Sequence, residues 1–362
     1  MKNVFFSISL MLATTVAFAQ ANNSNVSQSG TANSSNVTQV GNANQSQVTQ
    51  NGLNLAASGV SNEALVVQTG VQNASLVEQS GDLNDGNVFQ TGDFNDATID
   101  QGVGYAENNL ATTTQTGDSN TALQTQRFDN NIATIVQTGD SNDARQHQSS
   151  GPDGSPGNLA YAQQVGTFHE SIQRQIGNMN DANIIQNGTN NYARQRQFGD
   201  SNEADAFQGQ SGNSSEQLQT GNNNDALVYQ NDINLGGNNM ASQTQTGDGN
   251  NAVADQGLGT PDSENGLITQ TQTGDLNYAY ARQNGDGNMS SQSQTGDSNV
   301  SNHYQSGDSN DALTIQNGDS NNSYMNQVGN DNYSIATQSG QLHVSTVNQM
   351  GNMNMSTVSQ SN

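Results

Sequence analysis

An eleven-residue unit, repeated along almost the whole chain, constrains the possible folds of this sequence more than any other feature. The unit follows the pattern Q-x-G-x-x-N-x-[AS]-x-x-x-Q, as in the segments Gln137 to Ala144 and Gln305 to Ala312. Toward the C-terminus the marker glutamines recur without a slip, at Gln272, Gln283, Gln294, Gln305, Gln316, Gln327, Gln338, Gln349 and Gln360. By this count the chain holds 29 units, and a fixed short period of this kind indicates a stack of repeated supersecondary units.

In five places the marker glutamines are more than eleven residues apart, and we interpret the extra residues as loop insertions. The five long gaps follow Gln50, Gln101, Gln148, Gln230 and Gln256. All three prolines of the chain lie in these gaps, as expected for a residue that cannot donate to a strand ladder. An insertion folded over an edge of the stack, around Gly151 to Gly157 or Thr260 to Asn265, would prevent another copy from adding there.

Within a unit the residues from Asn to Gln alternate in character with a period of two, which is typical of a strand with two different faces. In the segment Asn224 to Gln230, one face carries Asn, Ala, Val and Gln, and the other carries Asp, Leu and Tyr. No Asp, Glu, Lys or Arg occupies the first face in any unit, whereas charges and large rings occupy the second. The first face is therefore predicted to point inward.

The inward face is narrow because one of its positions is almost always Ala or Ser, so two facing strands could close over it. We therefore predict an all-β fold, a β-solenoid of about 14 stacked two-strand rungs with about 22 residues per rung and a length of about 70 Å. A three-sided coil of about 33 residues per turn satisfies the same spacing. Small inward residues favour the two-sided form, because they would not fill a triangular interior.

Stacking at this period places each inward amide above an identical amide, so that side chains can form hydrogen-bonded ladders along the axis. An unpaired buried amide costs roughly 1 to 3 kcal/mol, whereas a paired one contributes about 0.5 to 1.5 kcal/mol. The regular period therefore makes a polar interior tolerable. The predicted ladder, and with it the predicted assembly site, includes Asn277, Gln283, Asn288, Gln294, Asn299, Gln305, Asn310, Gln316, Asn321, Gln327, Gln338 and Gln349.

Four residues between strands suit a tight reversal, in which glycine supplies a positive φ and Asp or Asn supplies local hydrogen bonds. The predicted turn glycines are Gly139, Gly199, Gly296, Gly307 and Gly318. Aspartates on stacked corners would repel one another and delay association between molecules until they are screened. The residues predicted to act as such charge gatekeepers are Asp140, Asp200, Asp297, Asp308 and Asp319.

Composition excludes several classes of protein. Only 30% of the residues are hydrophobic, too few for the apolar core of an ordinary enzyme of 362 residues, and Cys is absent, which excludes disulfides and thiolate metal sites. The formal charge of −25 argues against nucleic acid or an anionic membrane as partner. After the N-terminal segment no apolar run is long enough for a membrane helix. We therefore expect no catalytic activity, no cofactor, no nucleic-acid binding and no membrane insertion.

Residues 1–21 are predicted to be a secretory signal peptide. Lys2 supplies the positive charge, Val4 to Val16 form the apolar stretch, and small residues allow cleavage after Ala19 or Ala21. Residues 22–362 then form a single repeat domain outside the cytoplasm, and the loss of Lys2 takes the formal charge from −25 to −26.

The repeat resembles the curlin repeat of the secreted amyloid subunits of bacterial curli, over essentially all of the chain after the signal. This resemblance implies an extracellular cell-surface fibre subunit that polymerises with itself, leaves through an outer-membrane secretion pore and meets a nucleator subunit. The implied roles are biofilm matrix, surface adhesion and cell aggregation. Family major subunits generally carry a Gly-rich segment before the repeats, whereas Asn22 already begins the first unit, and the resemblance fits the major and the nucleator subunit alike.

An alternative function is that of a monomeric extracellular solenoid that acts as an adhesin or binds Ca²⁺ through its acidic corners. The four histidines show no ligand-like spacing, and substitution within the ladder accounts for them better than a metal site does. Outward residues such as Tyr192, Arg194 and Arg196 could form an adhesive face. In the sequence they look scattered, which favours ordinary exposed strand residues.

Overall fold

The computed structural model describes residues 21–51, 60–152, 154–230, 237–257 and 263–362, without the side chains of residues 103–105. The expected signal segment lies outside the described residues except for Ala21, and so do residues 260–262 of one predicted insertion, with Pro261. The described residues form strands, turns and bends, with no helix among them.

The strand bounds follow the eleven-residue period. The strands are β1 Asn23–Ser29, β2 Ser34–Asn42, β3 Gln45–Asn51, β4 Glu63–Val71, β5 Ala74–Asp82, β6 Asp85–Thr91, β7 Asp96–Glu107, β8 Leu110–Thr116, β9 Thr121–Arg127, β10 Ile132–Thr138, β11 Asp143–Ser149, β12 Leu159–Thr167, β13 Glu170–Ile176, β14 Asp181–Thr189, β15 Tyr192–Phe198, β16 Glu203–Gln208, β17 Ser214–Thr220, β18 Asp225–Gln230, β19 Met240–Thr246, β20 Asn251–Gln256, β21 Ser263–Glu264, β22 Leu267–Thr273, β23 Tyr278–Asp286, β24 Met289–Thr295, β25 Val300–Ser306, β26 Asp311–Asn317, β27 Asn322–Val328, β28 Tyr333–Ser339, β29 Val344–Met350 and β30 Met355–Ser361.

Two sheets face each other across the interior. Sheet 1 holds 15 strands, the odd-numbered ones from β1 to β19 and then the even-numbered ones from β22 to β30. Sheet 2 holds the 14 other long strands, and the two-residue strand β21 pairs with β23 beside them. The 29 long strands correspond to the 29 units counted in the sequence.

Neighbouring strands within a sheet are parallel and in register, so that residues one turn apart lie side by side. Gln175 in β13 pairs with Gln197 in β15, 22 residues later. Across an insertion, Gln137 in β10 pairs with Gln164 in β12, 27 residues later, because the extra residues leave the stack without shifting the register. The predicted β-solenoid of about 14 turns with roughly 22 residues per turn is confirmed, and a 33-residue turn is wrong.

The described part of the insertion at Gly151 to Gly157, residues 151, 152 and 154–157, lies against the side of the stack rather than over an end. The backbone N–H of Gly151 donates to Oδ1 of Asn178 (2.9 Å), and the N–H of Gly154 donates to the Asp129 carboxylate. Asp129 and Asn178 are corner residues of the turns on either side of the one that carries the insertion, so this loop packs along the stacked corners. It leaves the outermost described strands β1 and β30 uncovered.

The interior is a slot lined by every second residue of each strand, as in β15, where buried and half-buried residues alternate without exception. Near the N-terminus the middle of the slot holds Val48, Val66, Val77, Val88 and Ile99, all fully buried. Ala or Ser beside them allows the two backbones to approach closely. Apolar contacts thus stabilise this end, whereas polar side chains line much of the remaining slot.

Each regular turn contains two residues with positive φ, of which the sequence analysis predicted only the glycine. In the turn after β10, Gly139 has a φ of 112° and Ser141 a φ of 58°. The second position tolerates many residue types, including Leu276 and Phe168. Its N–H bonds to a carbonyl of the preceding rung, as Leu276 does to Asp248 O at 2.9 Å, so the stack itself holds this left-handed conformation.

Candidate functional site: stacked amide ladders

Two unbroken glutamine ladders run along the edges of the slot, one in each sheet. In both, Nε2 of each glutamine donates to Oε1 of the glutamine one turn later, at 2.7 to 3.0 Å. The sheet 1 ladder extends from Gln28 to Gln360 and the sheet 2 ladder from Gln39 to Gln349. Every bond has the same direction, so each ladder has a polarity.

The structure places all seven glutamines of the predicted assembly site in these ladders, and all seven are buried: Gln283, Gln294, Gln305, Gln316, Gln327, Gln338 and Gln349. The amide of each also donates to a carbonyl at the start of a strand in the opposite sheet. Gln294, for example, donates to Tyr278 O at 3.0 Å and to Gln316 Oε1 at 2.9 Å. Buried amides are thus fully paired, which removes their desolvation cost.

The five predicted asparagines are also buried and form ladders at the strand starts: Asn277, Asn288, Asn299, Asn310 and Asn321. Nδ2 of Asn299 donates to Asn277 Oδ1 one turn earlier (3.1 Å) and to the carbonyl of Gly318 (2.7 Å). The Asn277 oxygen also accepts the backbone N–H of Asn299 at 3.0 Å. These side-chain bonds run opposite to the glutamine bonds, and they tie each strand start to the next corner.

A third glutamine ladder occupies the middle of the slot in sheet 1, and the sequence analysis did not identify it. It joins eight residues at 2.8 to 3.0 Å: Gln124, Gln146, Gln173, Gln195, Gln217, Gln243, Gln270 and Gln292. Each amide also reaches backbone carbonyls of sheet 2, as Gln195 does at Asn183 O and Ala204 O. The signal was present, because glutamine recurs at this position in alternate units, but apolar residues fill the same position elsewhere.

His303 fills the middle position of sheet 2 opposite the end of the third ladder. It is fully buried, and its Nδ1 and Nε2 each lie 2.8 Å from a hydroxyl oxygen, that of Ser290 and that of Thr314. Burial lowers the pKa of His303 to about 3, so the imidazole is neutral at physiological pH. His169 replaces a ladder asparagine, and its Nδ1 accepts the N–H of Asn191 at 3.3 Å.

The five predicted turn glycines, Gly139, Gly199, Gly296, Gly307 and Gly318, all have a φ between 106° and 119°. A Cβ on any of them would fall on the carbonyl oxygen of the glycine one turn later. Glycine is therefore required for two reasons. It adopts the positive φ of the turn, and its lack of a Cβ allows successive corners to approach closely.

The five predicted gatekeeper aspartates, Asp140, Asp200, Asp297, Asp308 and Asp319, lie on the corners, and all but Asp319 are exposed. Each carboxylate also accepts the backbone N–H of the corner residue one turn earlier, as Asp297 does from Asp275 at 2.9 Å and Asp319 from Asp297 at 3.1 Å. These aspartates are therefore part of the hydrogen-bonded stack as well as a source of charge.

The described residues contain neither a cluster of metal ligands nor a membrane-spanning helix. No group of three or more His, Asp or Glu side chains there is placed to hold a metal ion. The same part of the chain contains no helix that could cross a membrane.

Fold and ladders together define a class of protein, the parallel β-solenoids whose interior consists of in-register amide ladders. Within that class, a family model described as Curlin associated repeat matches residues 307–340, which contain β26 and β28 of sheet 1 and β27 of sheet 2. This match supports the curlin-repeat family. A search of curated proteins found no match to the chain.

Proposed function

We propose that this protein is the structural subunit of an extracellular, curli-like functional amyloid fibre, in which copies stack end to end along the solenoid axis. The observation that carries the proposal is the unbroken run of amide bonds parallel to that axis. Such ladders are a feature of cross-β assemblies, in which a further identical strand repeats every contact already made.

The two ends of the described stack carry complementary groups. Edge-ladder glutamines donate toward the C-terminal end, so the side-chain oxygens of Gln28 and Gln39 accept no ladder bond among the described residues. At the other end, Gln349 and Gln360 donate to carbonyls across the slot, and each retains a second amide hydrogen. A second copy added head to tail would join these donors to those acceptors.

The outermost strands also match in their inward residues. β1 carries Ser24, Val26 and Gln28, and β30 carries Ser356, Val358 and Gln360, at equivalent positions. Val26 is 44% exposed, whereas its neighbour Val48 in β3 is fully buried. Stacking of a second copy would bury this apolar surface and pair the open strand edges.

The proposed setting follows from the curlin resemblance: secretion through an outer-membrane pore, a nucleator partner, and a role in biofilm matrix, adhesion and cell aggregation. The proposal includes no catalytic activity and no cofactor. A major subunit and a nucleator would use the same ladders. Trace amounts of a nucleator, unlike those of a major subunit, would shorten the lag phase of a second curlin-repeat protein.

The first test is polymerisation of the purified chain without the signal segment. We expect thioflavin-positive fibres with a meridional reflection near 4.8 Å, and faster growth in added salt, which screens the acidic charge. A chain that stays monomeric under these conditions, or fibres without that reflection, would contradict the proposal.

A pair of variants tests the ends. Gln349→Leu with Gln360→Leu removes the C-terminal donors and leaves most of the interior ladder intact, so we expect a folded monomer whose fibres elongate about tenfold more slowly. The matched control is Gln45→Leu with Gln47→Leu, because both residues are exposed on the outer face of β3. Equal elongation rates for the two variants would contradict end-to-end stacking through the ladders.

A further inference from the structure

Five of the six arginines of the chain lie on the outer face of sheet 1, within four neighbouring strands from β9 to β15. They are Arg127, Arg145, Arg174, Arg194 and Arg196. The expectation that the arginines are scattered is therefore wrong. They look scattered in the sequence because every second unit belongs to the other sheet.

Register aligns part of this cluster into a column parallel to the axis. His147, Arg174 and Arg196 are direct neighbours in β11, β13 and β15, and we call them the basic column. Burial, and to a smaller extent the charges of Arg127 and Arg174, lowers the pKa of His147. The positive charge of the basic column is therefore carried by its arginines. Within the described residues neither Arg174 nor Arg196 forms an ion pair; Arg174 lies 5.5 Å from the centre of the Phe198 ring.

The outer face of sheet 2 carries the opposite charge at the same height. Asp181, Glu203 and Asp225 are direct neighbours in β14, β16 and β18, and we call them the acidic column. No Lys or Arg lies on the described outer face of sheet 2 from β2 to β20. Burial, and then the like charges of Glu203 and Asp205, raise the pKa of Asp225 to about 6. These carboxylates therefore lack a compensating cation on their own face.

The two columns lie back to back across the slot. Gln197, which follows Arg196, donates to Asp181 O at 2.7 Å and to Asn202 O at 2.8 Å, and Asn202 directly precedes Glu203. Arg196 is thus level with Asp181 and Glu203 at the same edge of the slot, so the two columns overlap in height. A second copy moved sideways, perpendicular to the sheets and without rotation, places its acidic column on the basic column of the first.

We propose that solenoids associate sideways with parallel axes, the basic column of one copy pairing with the acidic column of a second copy of this chain. The proposal rests on the proposed function, because this pairing gathers single fibres into bundles. Sheets that pack face to face lie about 10 Å apart, a distance that Arg and Glu side chains span together.

The remaining charges of these faces fit the arrangement only in part. At the height of β5 and β7, Glu78 and Asp100 would meet Glu63 and Asp85 of the second copy, and these like charges oppose the pairing there. Glu170 begins β13. In the sideways pair it faces the ends of the sheet 2 strands of the second copy, where Ile185 and Phe207 lie. Asp205 lies between the heights of Arg194 and Glu216, so it meets one attractive and one repulsive neighbour. The basic and acidic columns themselves contain no charge of the wrong sign.

Charge reversal tests the pairing. Arg174→Glu with Arg196→Glu makes both faces acidic at this height, and Asp181→Arg with Glu203→Arg makes both basic. Each variant alone is expected to form thioflavin-positive single fibres, with about tenfold less low-speed sediment than wild-type bundles. Mixing preformed fibres of the two variants is expected to restore bundles, because each then offers what the other lacks. Bundles from either variant alone, or none from the mixture, would overturn the proposal.

The matched control is Glu63→Arg with Asp85→Arg. These residues begin β4 and β6 on the same face, and their substitution changes the charge equally. In an unrotated pair, however, they lie opposite Glu78 and Asp100 of β5 and β7 and not opposite the basic column. We expect bundling to persist in this variant and to disappear from wild-type fibres in 1 M salt, where the screening length is about 3 Å. Loss of bundles in the control would overturn the assignment to these columns.

Fibre growth and bundling have separate measurements, so the two proposals fail separately. Wild-type fibres that remain single would overturn only the sideways pairing. The same holds if single fibres retain dextran sulfate through Arg174 and Arg196, because that result would indicate a binding site for a polyanion. If no fibres form, the proposed function fails. Sedimentation of mixed monomeric variants then decides the pairing, which requires a dimer in the mixture and monomers in each variant alone.

Discussion

At the scale of single residues, His303 shows how the stack fixes the protonation state of one side chain. Its pKa in the folded protein, about 3, lies below the unfolded value of 6.5. The unfolded chain therefore binds a proton as the pH falls through 6.5, while the folded chain does not until about 3. Stability linked to His303 is fully present above pH 6.5 and is lost as the pH falls toward 3.

His303→Met tests this linkage, with Met325, the register neighbour of His303, as the precedent for a methionine at this position. At pH 7.5 we expect the variant to be less stable by about 2 kcal/mol, because the hydroxyls of Ser290 and Thr314 lose their partner. At pH 4.5 the difference should shrink by about 2 to 3 kcal/mol. Urea denaturation of the monomer at both pH values measures it, and a constant difference would contradict the buried neutral imidazole.

The two glycines of one turn are predicted to differ. Gly285 has a φ of 99°, and a Cβ there would fall on the Gly307 carbonyl oxygen, whereas Gly287 has a φ of 64° with only Ser309 Oγ nearby, at 3.8 Å. We expect Gly285→Ala to cost about 3 kcal/mol or more in free energy of unfolding and Gly287→Ala about 1 kcal/mol. Similar denaturation midpoints for the two variants would contradict the close approach of successive corners.

At the scale of strands, the third ladder makes an interior glutamine harder to replace than its polarity suggests. Gln195→Leu leaves Gln217 Oε1 and the carbonyls of Asn183 and Ala204 without the donor they have now. We expect a loss of about 2 to 4 kcal/mol in free energy of unfolding.

Gln47→Leu on the exposed face of β3 is the control for Gln195→Leu, with an expected change within about 0.5 kcal/mol. Urea denaturation at a fixed pH compares the two. Equal effects on both faces would contradict the assignment of Gln195 to a paired interior ladder.

Strand positions and edge ladders could be predicted because the period fixes them: Gln283 and Gln305 lie where eleven-residue spacing puts them. The third ladder could not be distinguished in the same way, since Ile99 and Gln124 occupy the same column in neighbouring strands. At such a position either a paired amide or an apolar side chain is compatible with burial. Likewise, Leu276 and Phe168 carry no sign of a positive φ, because hydrogen bonds between rungs impose it.

At the scale of the whole molecule, the charge pattern depends on which sheet each unit enters. Arg145, Arg174 and Arg194 lie in every second unit of the chain, in β11, β13 and β15, so all three face the same side. This rule could have been applied to the sequence once insertions were known to leave the register intact. The structure supplies that knowledge, since a 27-residue spacing from Gln148 to Gln175 still gives direct neighbours.

The same parity has a consequence for the proposed fibre, if the outermost described strands are the ones that meet. Sheet 1 has 15 strands and sheet 2 has 14 long ones, so β1 and β30 lie in the same sheet. A copy added without rotation would leave sheet 2 one strand short at the junction. A half-turn about the axis instead places β1 on β29 and β2 on β30, where the inward residues again match, as in Ser345, Val347 and Gln349 of β29.

We therefore predict that successive subunits are rotated by about half a turn, in addition to the twist of the solenoid itself. Helical reconstruction of fibre images measures this rotation directly. Deletion of residues 307–317 removes one unit, makes the strand number even and is expected to abolish the half-turn. Deletion of residues 307–328 removes a whole rung, keeps the number odd and is expected to preserve the half-turn. The two deletion variants differ in whether their strand number is odd or even. If both show the same subunit rotation, the idea that subunits join without a missing strand is contradicted.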